Sequence, residues 1–170
     1  MHYKVSLLTR TLLLAVVFQV TTSQAQQKFS KRQIEKIKTE TLNQVQAQHK
    51  NTQVMIDKVF SFAELGFQEF ETSAYLTKIL EEAGFEVKTG LSGIPTSWMA
   101  TWTFGEGPVI ALGSDVDCIP KASQYPGVAY HKPMVEGAPG HGEGHNSGVP
   151  VIITAALTLQ EQMKKNKLGG

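Results

Sequence analysis

The sequence predicts an α/β domain, a helix-covered mixed sheet, and three observations lead there. Breaker-poor stretches with apolar residues at helical spacing open and close the chain. Between them lie segments of apolar–polar alternation and one continuous apolar run, the patterns of strands. A long connection rich in Pro and Gly then leads to the last helix, with carboxylates and imidazoles at both its ends. The 170 residues are 41% hydrophobic and 18% charged, enough for one domain with a real core. The formal charge is +1, so no strong field argues for nucleic acid or an acidic surface. Basic residues between Lys28 and Lys50 are interrupted by Glu35 and Glu40 and read as a solvated helix face.

At the N-terminus, residues 1–25 have the form of an export signal. Lys4 and Arg10 supply the positive end, Thr11 to Phe18 the apolar core, and Ser23-Gln24-Ala25 a small-residue cleavage site before Gln26. The apolar run is shorter than the ~20 residues of a membrane span, so no stable span is expected. Residues 26–170 then form the exported segment, periplasmic or secreted. Cys118 is the single cysteine, which excludes an intramolecular disulfide in any compartment.

From Ser30 to about Leu65 breakers are few, and Met55, Ile56, Val59, Phe60 and Phe62 fall at helical spacing. Gly66 and Phe67 mark a turn. Tyr75, Leu76, Ile79, Leu80 and Ala83 recur as one face of an amphipathic helix that Gly84 closes. Phe85 to Lys88 alternates as a short strand. Trp98, Ala100, Trp102 and Phe104 lie on one face of a longer one. Gly105-Glu106-Gly107-Pro108 turns the chain into Val109-Ile110-Ala111-Leu112, an apolar run that reads as a strand buried on both faces and paired in a hairpin with its predecessor. Asp115 and Asp117 are thereby expected beyond the end of a central strand, where α/β sheets bind ligands. A long loop with Pro120, Pro126, Pro133 and Pro139 follows. The last helix is expected to take Asn146 or Ser147 as its cap and Pro150 in its first turn.

His141-Gly142-Glu143-Gly144-His145-Asn146 is the densest cluster of metal-ligand types, and Asp115-Val116-Asp117 lies upstream of it. Carboxylates and neutral imidazoles are the usual ligands of catalytic divalent ions, which leave a position open for water. Asp117, Glu143 and His145 are the candidate metal-binding residues. The backbone N–H groups where the last helix begins would favour an anionic substrate rather than the cation itself. Two rival motifs fail. A His-Glu-x-x-His zinc helix needs the acid in the second position, and Gly142 and Gly144 disfavour a helix there. A zinc deaminase needs a downstream Pro-Cys-x-x-Cys, and the only cysteine lies upstream.

Gly113-Ser114-Asp115-Val116-Asp117-Cys118-Ile119-Pro120 and Pro139-Gly140-His141-Gly142-Glu143-Gly144-His145-Asn146 resemble the aminoacylase/carboxypeptidase family of co-catalytic metallopeptidases. The likeness is to its amidohydrolase branch, of the p-aminobenzoyl-glutamate hydrolase type. Ala63-Glu64-Leu65-Gly66-Phe67-Gln68-Glu69 resembles an early segment of the same branch, so the likeness runs from about Val54 to Gly170. It implies a zinc-peptidase-like α/β catalytic domain with two zinc or manganese ions, hydrolysing the amide of N-acyl or N-aroyl amino acids, aminobenzoyl-glutamate among them. It also implies a homodimer as the complete enzyme. Asp117 matches a catalytic, metal-binding or metal-orienting aspartate. Glu143 and His145 match a cysteine and a histidine that bind metal in the pattern His-x-Cys-Gly-His-Asp. His141, Asp115 and Asn146 are expected to support the ligands from behind.

Three departures matter. Glu143 exchanges a soft thiolate for a hard carboxylate, which shifts preference from zinc toward manganese. Asn146 replaces an aspartate, and Asp115 stands where other branches carry a histidine. The family's paired glutamates, including the general base, are expected beyond the final helix. The expectation is therefore the N-terminal portion of a hydrolase domain, incomplete at the C-terminus and inactive by itself. The alternative is an exported binding module or remnant that keeps the fold without turnover. Glu64, Glu69 and Glu71 read as surface or capping residues, Cys118 as a small buried hydrophobe, and Trp98 and Trp102 as sheet-packing groups. Tyr125, Tyr130 and His131 in the long loop carry no distinguishing signal.

Overall fold

The computed structural model describes residues 29–170, so the expected export signal lies outside the described residues. The chain divides into two units, Met1–Ile34 and Glu35–Gly170, and the architecture below is that of the second. In the first, Ser30 and Gln33 form a reciprocal cap. The Gln33 backbone N–H donates to Ser30 Oγ at 3.3 Å, and the Ser30 N–H donates to Gln33 Oε1 at 2.8 Å.

The breaker-poor N-terminal stretch folds as α1, Lys31–Ala47, and α2, His49–Phe62. Ala63, in the left-handed region at φ 49°, ends α2. The second amphipathic pattern is α3, Phe70–Glu82, and Gly84 follows it at φ 87°, a backbone shape that glycine adopts without a Cβ clash. Strands β1, Glu86–Thr89, and β2, Trp98–Thr101, pair antiparallel with Val87 opposite Ala100 and Glu86 opposite Thr101. The final helix, α4, runs from His145 to Asn166.

Three helices and two strands share one core. Met55 and Val59 of α2, Leu76 and Leu80 of α3, and Val149 and Ile153 of α4 are buried together. Val87, Trp98 and Ala100 of the two strands pack against them, as expected for the alternating face of β2. Val59 and Leu76 are fully inaccessible, and burying each contributes about 1.5–3 kcal/mol. α1 keeps Leu42 and Val45 exposed, and polar contacts tie it to α4 instead. Lys165 Nζ pairs with Glu40 at 2.9 Å, and Gln162 Nε2 donates to Gln44 Oε1 at 2.9 Å.

The structure differs from expectation at three places. Among the described residues the sheet has two strands, both antiparallel, rather than a broad mixed arrangement. Val109 to Leu112 is not a strand, and β2 pairs with β1, not with that run. Among the described residues no strand lies beside the run, and Val109 is 93% exposed. An apolar run signals a demand for burial, but a ladder needs a neighbouring backbone, which the run cannot specify. Neither Asn146 nor Ser147 caps α4. The cap position falls two residues before Asn146, at Gly144 with φ 88°, and Ser147 Oγ donates to the Gly144 carbonyl at 2.8 Å. Pro150 falls not in the first turn but at the sixth residue of α4, inside the helix, where it removes the donor that would face the Asn146 carbonyl.

Candidate metal centre

Two short backbone bridges hold the segment that carries the aspartates. Leu65 and Cys118 pair in parallel, with the Cys118 N–H donating to the Glu64 carbonyl at 2.7 Å. Ile119 and Gly140 pair antiparallel, each N–H donating to the other's carbonyl at 3.1 Å. Gly140 sits so close to the Ala122 carbonyl that a Cβ would collide with backbone, so the close approach requires glycine. The 64–65, 117–119 and 140 segments thus form a backbone clamp that brings the two sequence motifs together.

Glu64 secures that clamp from both its ends. Its carboxylate accepts the N–H groups of Glu71 at 2.9 Å and Thr72 at 2.8 Å, capping α3 across seven and eight residues. Its own carbonyl holds Cys118. Capping was an expected role for Glu64, but the coupling of that cap to the aspartate segment was not legible in sequence. Glu69, also expected at the surface or in a cap, is buried and accepts the Thr96 hydroxyl at 2.5 Å. Cys118 is buried as expected, and burial, helped by the charges of Asp117 and Glu64, pushes its thiol up to about 11.

His145, the first residue of α4, is the centre around which the candidates gather. Its Nδ1 lies 3.1 Å from Asp117 Oδ1 and also 3.1 Å from the Asp117 carbonyl oxygen. Both are acceptors, so this pairing places the proton on Nδ1. The other nitrogen, Nε2, faces Glu143 Oε2 at 3.5 Å and Asp115 Oδ2 at 4.0 Å. The His145 side chain is 21% exposed, against 61% for Glu143 and 84% for Asp115. One edge of the ring is thus anchored, and the other opens outward among carboxylates.

The geometry therefore brings Asp117, Asp115 and Glu143 to one imidazole, but not to one face of it. Asp117 meets the nitrogen opposite the one that Glu143 and Asp115 approach. A carboxylate behind the protonated nitrogen of a histidine is the usual means of orienting that ring toward a cation. Hard oxygens around an imidazole nitrogen suit zinc or manganese in kind. Among the described residues, however, no group of three or more His, Cys, Asp and Glu side chains is arranged to hold a metal ion. Glu143 Oε2 and His145 Nε2, with Asp115 Oδ2 at the margin, are the candidate donors brought near one another.

Among the described residues, neither His141 nor Asn146 hydrogen-bonds to the His145 ring. His141 Nε2 donates to the Val59 carbonyl of α2 at 3.0 Å, its ring lies against Phe60, and its Nδ1 is buried without a partner. Desolvation lowers its pKa below the ordinary value, keeping it neutral, while the bond to Val59 opposes that shift. His141 thus ties the 140–144 loop to the core. Nothing in the sequence pointed to the Val59 carbonyl as its partner.

Comparison with known proteins places the chain beside three hydrolases. The chain is 34% identical over 115 residues to a component of the p-aminobenzoyl-glutamate hydrolase of Escherichia coli (strain K12), covering 67% of this chain and 24% of that protein. It is 31% identical over 114 residues to N-acetyl-L-cysteine deacetylase of Bacillus subtilis (strain 168), covering 62% and 24%. It is 32% identical over 107 residues to IAA-amino acid hydrolase ILR1-like 2 of Arabidopsis thaliana, covering 61% and 23%. The chain is related, over this matched part, to the amidohydrolases of the aminoacylase/carboxypeptidase family. It spans about a quarter of the length of these relatives. No family model and no solved structure matches it.

Proposed function

We propose that this chain contributes part of the site of a metal-dependent amidohydrolase that cleaves N-acyl or N-aroyl amino acids, aminobenzoyl-glutamate-like substrates among them. The observation that carries the reading is the anchored imidazole. Asp117 holds Nδ1 of His145 so that Nε2 faces Glu143 and Asp115. In that reading His145 and Glu143 hold one of two zinc or manganese ions, and Asp117 fixes the ring that reaches it. The ion would polarise the amide carbonyl. The chain's own contribution is orientation, since the Asp117 contact and the clamp at Cys118 and Ile119 fix where Nε2 points. The N-terminal amides of α4 would favour the substrate carboxylate. A homodimer and export to the periplasm or medium complete the proposal.

A second reading is a binding module that keeps the fold without turnover. One observation favours it: no three-donor group is assembled among the described residues. The two are separated by assaying release of the amino acid from N-acyl and N-aroyl substrates with added manganese or zinc, on the full gene product. Metal-dependent release that is lost in His145→Ala and Glu143→Ala supports the hydrolase. Release that survives in His145→Ala overturns the ligand assignment, and no release with any divalent ion favours the module.

A further inference from the structure

The turn that joins Leu65 to Gln68 carries its glycine one place too early. The Gln68 N–H donates to the Leu65 carbonyl at 2.9 Å, which closes a four-residue turn over Gly66 and Phe67. Phe67, third in that turn, has φ 66°, a left-handed backbone that favours glycine or asparagine at this position. Gly66 is not among the glycines at positive φ, so an aromatic residue carries the strain that its neighbour could have relieved. Among the described residues Phe67 is the only aromatic one with positive φ. Burial does not compensate the strain, because Phe67 is 69% exposed.

Strain of this kind persists only where the surroundings impose it, and it gathers at sites of function. Here the turn is held from both ends. Leu65 is bridged to Cys118. Beyond the turn, the Glu69 carboxylate accepts the Thr96 hydroxyl, and the Glu64 carboxylate accepts the N–H groups of Glu71 and Thr72. The clamped turn adjoins the candidate centre. A Cβ on Gly66 would stand 3.4 Å from Asp117 Oδ2, while Oδ1 of the same carboxylate faces His145 Nδ1 at 3.1 Å. The turn and the start of α4 thus meet different oxygens of one carboxylate. Phe67 also lines one hollow together with Asp115 and Asp117. An exposed ring is therefore held, at a conformational cost, beside Asp117.

We propose that Phe67 determines acyl specificity: its ring receives the uncharged aromatic acyl group of an N-aroyl amino acid. This rests on the hydrolase reading above, in which the start of α4 favours the substrate carboxylate. The acyl group is then left to the turn beside the second oxygen of Asp117. A flat ring stacks offset on Phe67 or meets it edge to face, which an acetyl group cannot reciprocate. The ionisable residues lining the hollow with Phe67 are Glu69, Asp115 and Asp117, all acids, so an acyl group with its own negative charge is disfavoured.

The test measures kcat/KM for N-benzoylglutamate and N-acetylglutamate on the full gene product with added manganese or zinc, and urea unfolding alongside. Phe67→Gly removes the ring and the strain together, whereas Phe67→Tyr keeps the ring. The expected benzoyl-to-acetyl ratio falls at least ~fivefold in Phe67→Gly and stays within about twofold of wild type in Phe67→Tyr. The urea midpoint of Phe67→Gly should be no lower than that of wild type, since glycine adopts the left-handed backbone freely. An unchanged ratio in Phe67→Gly, or an equal fall in Phe67→Tyr, overturns the proposal. So does a lower midpoint in Phe67→Gly, because the ring would then be a packing group. Turnover of neither substrate by the wild type refutes the hydrolase reading alone. Equilibrium dialysis of N-benzoylglutamate then decides the role of the ring. Weaker binding to Phe67→Gly than to wild type supports it, and equal binding or none overturns it.

Discussion

Glu64→Ala tests whether one side chain couples a helix cap to the placement of the aspartates. The wild-type carboxylate accepts two backbone N–H groups at the start of α3, at 2.9 and 2.8 Å. Losing a side-chain cap costs about 0.5–2 kcal/mol. Losing a negative charge at a helix N-terminus costs a further ~0.3–1 kcal/mol. The sum is about 1–3 kcal/mol, and with a urea m-value of about 1–3 kcal/mol per M the midpoint should fall by roughly 1 M. Glu64→Gln keeps one of the two acceptor oxygens and turns the other into a donor facing a backbone N–H, so it should recover only a minor part of the loss. The assay is urea unfolding followed by Trp98 and Trp102 fluorescence, with amide exchange at Cys118 alongside. The Cys118 N–H donates to the Glu64 carbonyl, so its exchange should accelerate in the alanine variant. A midpoint for Glu64→Ala within about 0.2 M of wild type would refute the cap.

Leu76 of α3 is fully buried in the shared core, so Leu76→Ala should cost about 2–5 kcal/mol by urea unfolding, and a cost below about 1 kcal/mol would mean that the core lies elsewhere. Burial first, and neighbouring carboxylates second, raise Cys118 from 9.0 to about 11, so the native thiol should resist Ellman's reagent at pH 8. The folded state then holds this proton more tightly than the unfolded one, so stability should decline as pH rises from about 9 toward 11, a slope that Cys118→Ala should remove. His141→Gln retains an N–H for the Val59 carbonyl and should hold stability close to wild type, whereas His141→Ala should lose about 1–3 kcal/mol. Equal losses in the two variants would show that the ring's packing on Phe60, not its hydrogen bond, secures the loop.

The sequence by itself determined what local chemistry can determine. The 3.6-residue periodicity of Met55, Val59, Leu76 and Leu80 marked the faces that α2 and α3 bury. Alternation at Trp98 and Ala100 marked the face of β2, and Asp115, Asp117, Glu143 and His145 were singled out by ligand type. They converge on one imidazole. Tertiary structure alone decided which nitrogen each carboxylate meets, because ring orientation depends on the clamp between 64–65, 117–119 and 140, residues distant in sequence. It also decided that Val109 to Leu112 has no strand beside it among the described residues. An apolar run states how much surface should leave water, but a strand exists only where another backbone stands alongside to share its hydrogen bonds.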